Sequence, residues 1–113
     1  MEKYFSDKEM ACRCCGKLIK NADFLEKLNS ARETAGFPFI VNSGYRCSKH
    51  NAEVGSTSTN HIIGKAADIA CDNPNRKFNM VKALISAGMK GIGIGKMFVH
   101  CDTNRVLPVI WTY

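Results

Sequence analysis

The sequence predicts an α+β domain with a small, largely antiparallel sheet flanked by helices. Segments 22–35 and 75–87 repeat their apolar residues at helical spacing, whereas segments 37–42, 65–70, 91–95, 98–102 and 106–113 are short strand-like runs. Only Lys96 and Met97 separate the runs at 91–95 and 98–102, so a tight turn joins them. At 113 residues the chain has the size of one domain. No repeat, low-complexity stretch or linker divides it, so residues 1–113 are expected to form a single unit.

Each element has a local cause. In Ser6-Asp7-Lys8-Glu9, a capping serine is followed three residues later by a glutamate, which opens a helix of about one turn. From Ala22 to Ala35, Phe24, Leu25, Leu28, Ala31 and Ala35 share one face, while Glu26, Lys27, Arg32 and Glu33 face water. Gly36 ends that helix. The strand at 37–42 carries Pro38 near its first position, where a missing N–H is tolerated. A short helix at 48–54 is expected to take Ser48 as its cap, and the Gly/Ser/Thr/Asn composition of 55–60 reads as loop. Residues 65–70 form a strand despite the modest strand preference of alanine. The second long helix, at 75–87, presents Phe78, Val81, Leu84 and Ile85 as its apolar stripe and stops at Gly88. The last strand lies within 106–113 and carries Trp111.

Hydrophobic residues make up 45% of the chain and charged ones 23%, a composition that packs a core. Sixteen Lys and Arg against ten Asp and Glu give a net charge of +6. That excess suits nucleic acid, an acidic membrane surface or an anionic polymer such as cell wall. The basic residues are dispersed with no run of five or six, as on an ordinary solvated basic surface, and charge alone does not choose among them. No apolar run reaches the roughly 20 residues of a membrane span. The first residues lack the basic and apolar blocks of a secretory signal, so the chain is expected to be made in the cytoplasm and, if it acts outside, to be released by something else.

Six cysteines are many for this length. Cys12-Arg13-Cys14-Cys15-Gly16 suggests half of a zinc knuckle, but no second pair follows at similar spacing. Cys47 can join from elsewhere in the fold, as a third ligand or a disulfide partner. A structural metal, a disulfide and plain thiols all stay open.

The chemistry rests on the histidines. His61 precedes Asp68 by a segment containing Gly64, where a turn lets the imidazole and the carboxylate converge. His100 sits on a separate strand, followed by Asp102. Two imidazoles and one carboxylate, with a fourth position left to water, make a catalytic zinc arrangement. Taken singly, His61 also suits a polar surface loop, His100 a core histidine and Asp68 a strand-end carboxylate. They occur together with Ser43-Gly44-Tyr45-Arg46-Cys47, His50-Asn51, Asn60-His61-Ile62-Ile63-Gly64-Lys65-Ala66-Ala67-Asp68-Ile69, Gly91-Ile92-Gly93-Ile94 and Phe98-Val99-His100-Cys101-Asp102. In order and spacing, from about Phe5 to Asp102, these resemble the successive motifs of the zinc D-Ala-D-Ala carboxypeptidase family. That wider group also holds phage L-Ala-D-Glu endopeptidases, D-Ala-D-Ala dipeptidases and the Hedgehog signalling domain.

The resemblance implies a Hedgehog/D-Ala-D-Ala peptidase-like fold, zinc on His61, Asp68 and His100, and a role for Arg46 in positioning substrate. A guanidinium can grip a stem-peptide carboxylate bidentately, which gives the Arg46 role its own physical sense; the alternative is a salt bridge that pins the loop. Ser43 and Tyr45 line the site on this reading, or Tyr45 joins the core. His50 is expected on a helix surface rather than at the metal. Many relatives carry an acid three residues before the last histidine, and here that position is Met97. Asp102 shares the strand face of His100, and is either the base acting on water or the group that orients His100. The function implied is a phage- or prophage-type zinc peptidase that cuts peptidoglycan stem peptides as a monomer. The alternative is a zinc-bearing cell-wall binding module that has lost catalysis. A nucleic-acid binder would leave the His61/Asp68/His100 set without a purpose.

Overall fold

The computed structural model describes residues 4–113. The predicted capping box forms: Ser6 accepts the Glu9 N–H at the start of α1 (Asp7–Met10), and the Glu9 carboxylate reaches back to the Ser6 N–H. Helix α2 (Ala22–Ala35) has the predicted bounds, with the Asn21 side chain capping Phe24 N–H at 2.9 Å. It buries Phe24, Leu25, Leu28 and Ala31, as its apolar spacing requires, together with Asn29.

Strand β1 is shorter than predicted, Val41–Ser43 instead of 37–42. Pro38 has no N–H to give, and Phe39 turns into the core, so pairing starts only where the Ile40 carbonyl accepts the Ala70 N–H at 2.8 Å. Helix α3 (Ser48–Glu53) is capped by Cys47 rather than Ser48, because the Cys47 sulfur already accepts the His50 N–H. Strand β2 spans Ala66–Ala70.

Helix α4 (Pro74–Ser86) starts on an Asn73 cap, and its buried stripe differs from the predicted one. Met80, Ala83 and Leu84 are buried, whereas Phe78 is 68% and Ile85 53% exposed. Leu84 of the predicted stripe is buried and Val81 packs against the core, but the buried face is turned about the helix axis to take in Met80 and the small Ala83, which lets α4 lie close against α2.

Strands β3 (Gly91–Ile94) and β4 (Phe98–Asp102) form the predicted hairpin, with Gly95 N–H donating to the Phe98 carbonyl at 2.9 Å. Strand β5 is Val109–Thr112 and runs parallel to β3. Both sides of β4 are already taken, so the chain passes over β3 and returns along its free edge in the same direction as β3. The sheet order is β1-β2-β4-β3-β5, with every other pairing antiparallel.

The sheet has two distinct faces. Ala67 and Ile69 of β2, Ile92 of β3, and Val99 and Cys101 of β4 point into one hydrophobic cluster with α2 and α4. By strand alternation their neighbours Asp68, Gly91, Gly93, His100 and Asp102 occupy the opposite face. Among the described residues no helix is long and apolar enough to cross a membrane.

Candidate metal centre

Register brings the chemistry together. On the antiparallel β2–β4 pair Asp68 lies opposite His100, and Ala66 lies opposite Asp102. His61 arrives from the preceding turn, which folds back as expected at Gly64, whose φ is +74°. Lys65 N–H closes that turn on the Asn60 carbonyl at 3.0 Å. One ligand atom from each of His61, Asp68 and His100 falls within 4.8 Å of the other two. The three line a cleft of about 370 Å³, with Arg46, Arg105, Phe98, Trp111 and Tyr113 also on its wall.

Each imidazole is held by the nitrogen that faces away from this meeting point. His61 Nδ1 lies 2.7 Å from the Gly44 carbonyl, which can only accept, so Nδ1 carries the proton. The Nε2 lone pair then faces Asp68 Oδ1 at 3.5 Å. His100 Nε2 lies 2.8 Å from Asp102 Oδ2, and its Nδ1 lies 2.9 Å from Asp68 Oδ1. A neutral ring donates to only one carboxylate. With Nε2–H given to Asp102, the Nδ1 lone pair confronts an acceptor, and a cation resolves that conflict. Two imidazole nitrogens and one carboxylate oxygen converging at a cleft fit a divalent zinc ion.

The titration shifts follow from the same contacts. Burial raises the Asp68 carboxyl, but its close contacts with His100 and His61 outweigh it and hold the group below the usual carboxylate range. Burial lowers His100, and its bonds to Asp102 and Asp68 more than offset this, so the ring is raised. Asp102 is likewise raised by burial but held low overall by His100 and Arg105.

Asp102 is 0% exposed and accepts from His100, from Arg105 Nε and Nη2, and from Asn60 Nδ2 at 3.3 Å. Of the two roles left open for it, these are the contacts of the group that orients His100. The carboxylate is closed off from the cleft, so the expectation that it serves as base on water does not fit its position. Arg46 lines the cleft with its guanidinium engaged: Nε donates to Ser43 Oγ at 2.8 Å, Nη1 to Asn51 Oδ1 at 3.1 Å, and Nη2 to Asp68 Oδ2 at 2.9 Å. Ser43 therefore supports Arg46. Tyr45 is not on the cleft wall. Its hydroxyl is pushed up by burial and then by the charges of Cys47, Cys15 and Cys12. His50 lies on α3, as expected, 3.9 Å from Glu53. Met97 is 56% exposed and lines a different pocket with Phe37, Pro38 and Ile40.

Several working groups escaped the sequence reading. The Gly44 carbonyl fixes His61, and Asn60 and Arg105 fix Asp102. Gly91 and Gly93 clear the site face. A side chain at Gly91 would strike the Asp102 carboxylate and Arg105, and a Cβ at Gly93 would come within 2.8 Å of the Trp111 ring. Trp111 in turn packs on His100, ring centroids 5.4 Å apart, and under the Arg105 guanidinium at 4.8 Å. Alternate glycines in a strand are the one signal that pointed to so close an approach.

Comparison with known protein families matches residues 3–102 to the family described as Peptidase M15. Among curated proteins, none is similar enough to match.

Proposed function

The chain belongs to the peptidase M15 family, and from that premise we propose that it is a zinc metallopeptidase hydrolysing a peptide bond in peptidoglycan stem peptides, of D-Ala-D-Ala carboxypeptidase or L-Ala-D-Glu endopeptidase type. The observation that carries the reading is the convergence of His61 Nε2, Asp68 Oδ1 and His100 Nδ1 on one point at the cleft. Those three residues would hold the ion. When bound, zinc supplies Lewis acidity towards a peptide carbonyl and makes water a better nucleophile at neutral pH.

The chain's own groups set the stage for that chemistry. Asp102 keeps the proton on His100 Nε2, and the Gly44 carbonyl keeps it on His61 Nδ1, so both remaining lone pairs point inward. Arg46 occupies Asp68 Oδ2 and leaves Oδ1 facing the imidazoles. Of the five N–H bonds on a guanidinium, Arg46 has committed three, and the remaining two are where a substrate carboxylate would dock. Phe98, Trp111 and Tyr113 give the cleft an aromatic wall against which a peptide backbone can lie. A net charge of +6 suits an anionic wall polymer.

One observation favours a second reading, a zinc-bearing cell-wall binding module without catalysis. Among the described residues that line the cleft, Asp68 is the only carboxylate, and Met97 faces another pocket. Zinc analysis combined with digestion of defined stem peptides and mass spectrometry of the fragments separates the two. Fragments ending at L-Ala identify an endopeptidase, and released D-Ala a carboxypeptidase; either activity should vanish in His61→Ala. Peptides bound but left intact by the zinc-loaded chain would support the binding module. Failure to bind zinc at all would remove both.

A further inference from the structure

A second set of metal-type donors lies near the N-terminus, and the cleft makes no use of it. The sulfurs of Cys12, Cys14, Cys15 and Cys47 all lie within 4.8 Å of one another, with Cys14 and Cys47 3.6 Å apart. Four sulfurs around one zinc ion at about 2.3 Å stand about 3.8 Å from each other, so the cluster already has the span of such a site.

The backbone is shaped for the same purpose. Cys12-Arg13-Cys14-Cys15-Gly16 folds into a tight turn in which Gly16 N–H donates to the Cys12 carbonyl at 2.9 Å. Gly16 takes a φ of +73°, which few other residues adopt without strain. Cys12 N–H then donates to the Lys17 carbonyl at 2.8 Å and closes the turn. Backbone N–H groups also point at sulfur: Cys47 N–H at Cys12 Sγ and His50 N–H at Cys47 Sγ, each at 3.4 Å. N–H···S bonds favour a thiolate, the form that binds metal. The second half of the knuckle, missing from the local sequence, is supplied by the third cysteine of the turn and by Cys47 from across the fold.

We propose that Cys12, Cys14, Cys15 and Cys47 form a closed tetrathiolate zinc site that staples the N-terminal turn to residues 43–47. Four soft thiolates select zinc over hard cations, and loading the site releases the thiol protons. Cys14 also lies near His50 and Glu53, but that set offers one sulfur where the cluster offers four. The staple has a structural consequence. Cys47 directly follows Arg46, and the Tyr45 N–H donates to the Met10 carbonyl at 2.8 Å, so the ion would fix the loop that carries both Arg46 and the Gly44 carbonyl.

The test uses the full chain purified under reducing conditions and loaded with zinc. Native mass spectrometry should find a zinc ion that persists in the double variant His61→Ala/His100→Ala and is lost in Cys15→Ser/Cys47→Ser. Cobalt bound to the double histidine variant should give intense thiolate-to-metal charge-transfer absorption and tetrahedral ligand-field bands. Because the cysteine variants can fail to fold, the wild-type chain provides the deciding measurement. Peptide mapping should show Cys12, Cys14, Cys15 and Cys47 shielded from alkylation by zinc and exposed by a chelator. Free alkylation of all four in the folded, zinc-saturated chain would overturn the proposal, as would a disulfide among them in that chain. Loss of peptide hydrolysis with the cobalt–thiolate bands intact would count against the peptidase reading and leave this site standing.

Discussion

At the scale of single residues, the cleft depends on groups that never touch its contents. His100 has one nitrogen for Asp68 and one for Asp102, and the buried Asp102 charge decides which of them keeps a proton. In Asp102→Asn that charge is gone. Zinc affinity, measured by chelator competition, is then expected to fall by about 10–100-fold, the usual cost of losing such a partner. Gly93→Ala tests the opposite face of the same pair. Its methyl would meet Trp111 at 2.8 Å, so the ring must move off His100. The chain has one tryptophan, so its fluorescence reports the shift directly, and hydrolysis of a stem peptide should drop alongside it. The convergence of His61, Asp68 and His100 was legible because few residue types can ligate a metal. Asn60 and Arg105 were not, since either residue type is ordinary on a surface and gains its meaning only from Asp102.

The helices and strands divide the work between a core face and a site face. Leu28 on α2 is fully buried in the core cluster, so Leu28→Ala should cost about 2–5 kcal/mol in denaturant unfolding. Phe78→Ala on α4 removes a larger side chain, yet it should stay within about 0.5 kcal/mol of wild type because that ring is 68% exposed. The predicted α4 stripe was half right: Leu84 is buried and Val81 packs against the core, but packing turned the helix so that Met80 and Ala83, rather than Phe78 and Ile85, complete the buried face. Strand alternation makes a further prediction. Phe98, His100 and Asp102 share the site face, while Met97 lies at the turn by a separate pocket. Met97→Glu should therefore leave the rate of stem-peptide hydrolysis unchanged, as a kinetic assay would show; a marked gain would mean that the turn rearranges.

For the whole molecule, the proposed metal sites would tie ion binding to folding. An ion that binds only the folded chain stabilises it by mass action, about 4 kcal/mol at a free concentration a thousandfold above its Kd. Adding a strong chelator is expected to lower the thermal midpoint, and restoring zinc to recover it, as scanning calorimetry would record. If the cysteine site is a staple, the double variant His61→Ala/His100→Ala should keep part of that zinc-dependent shift.

The sequence by itself determined the bounds of α2, the β3–β4 hairpin and the grouping of His61, Asp68 and His100 that the fold brings together. Capping, helical periodicity, turn spacing and ligand chemistry are written within a few neighbouring positions. Only the tertiary structure decided which nitrogen of each histidine faces the cleft, that the Asp102 carboxylate is buried against His100, Arg105 and Asn60, that β5 runs parallel to β3, and that Cys47 joins the N-terminal cysteines. These outcomes depend on partners far apart in the chain, such as Asn60 with Asp102, 42 residues away, and Cys12 with Cys47, 35 residues away. No local pattern encodes such pairs. They are fixed when sheet register and loop packing bring the groups within hydrogen-bonding reach.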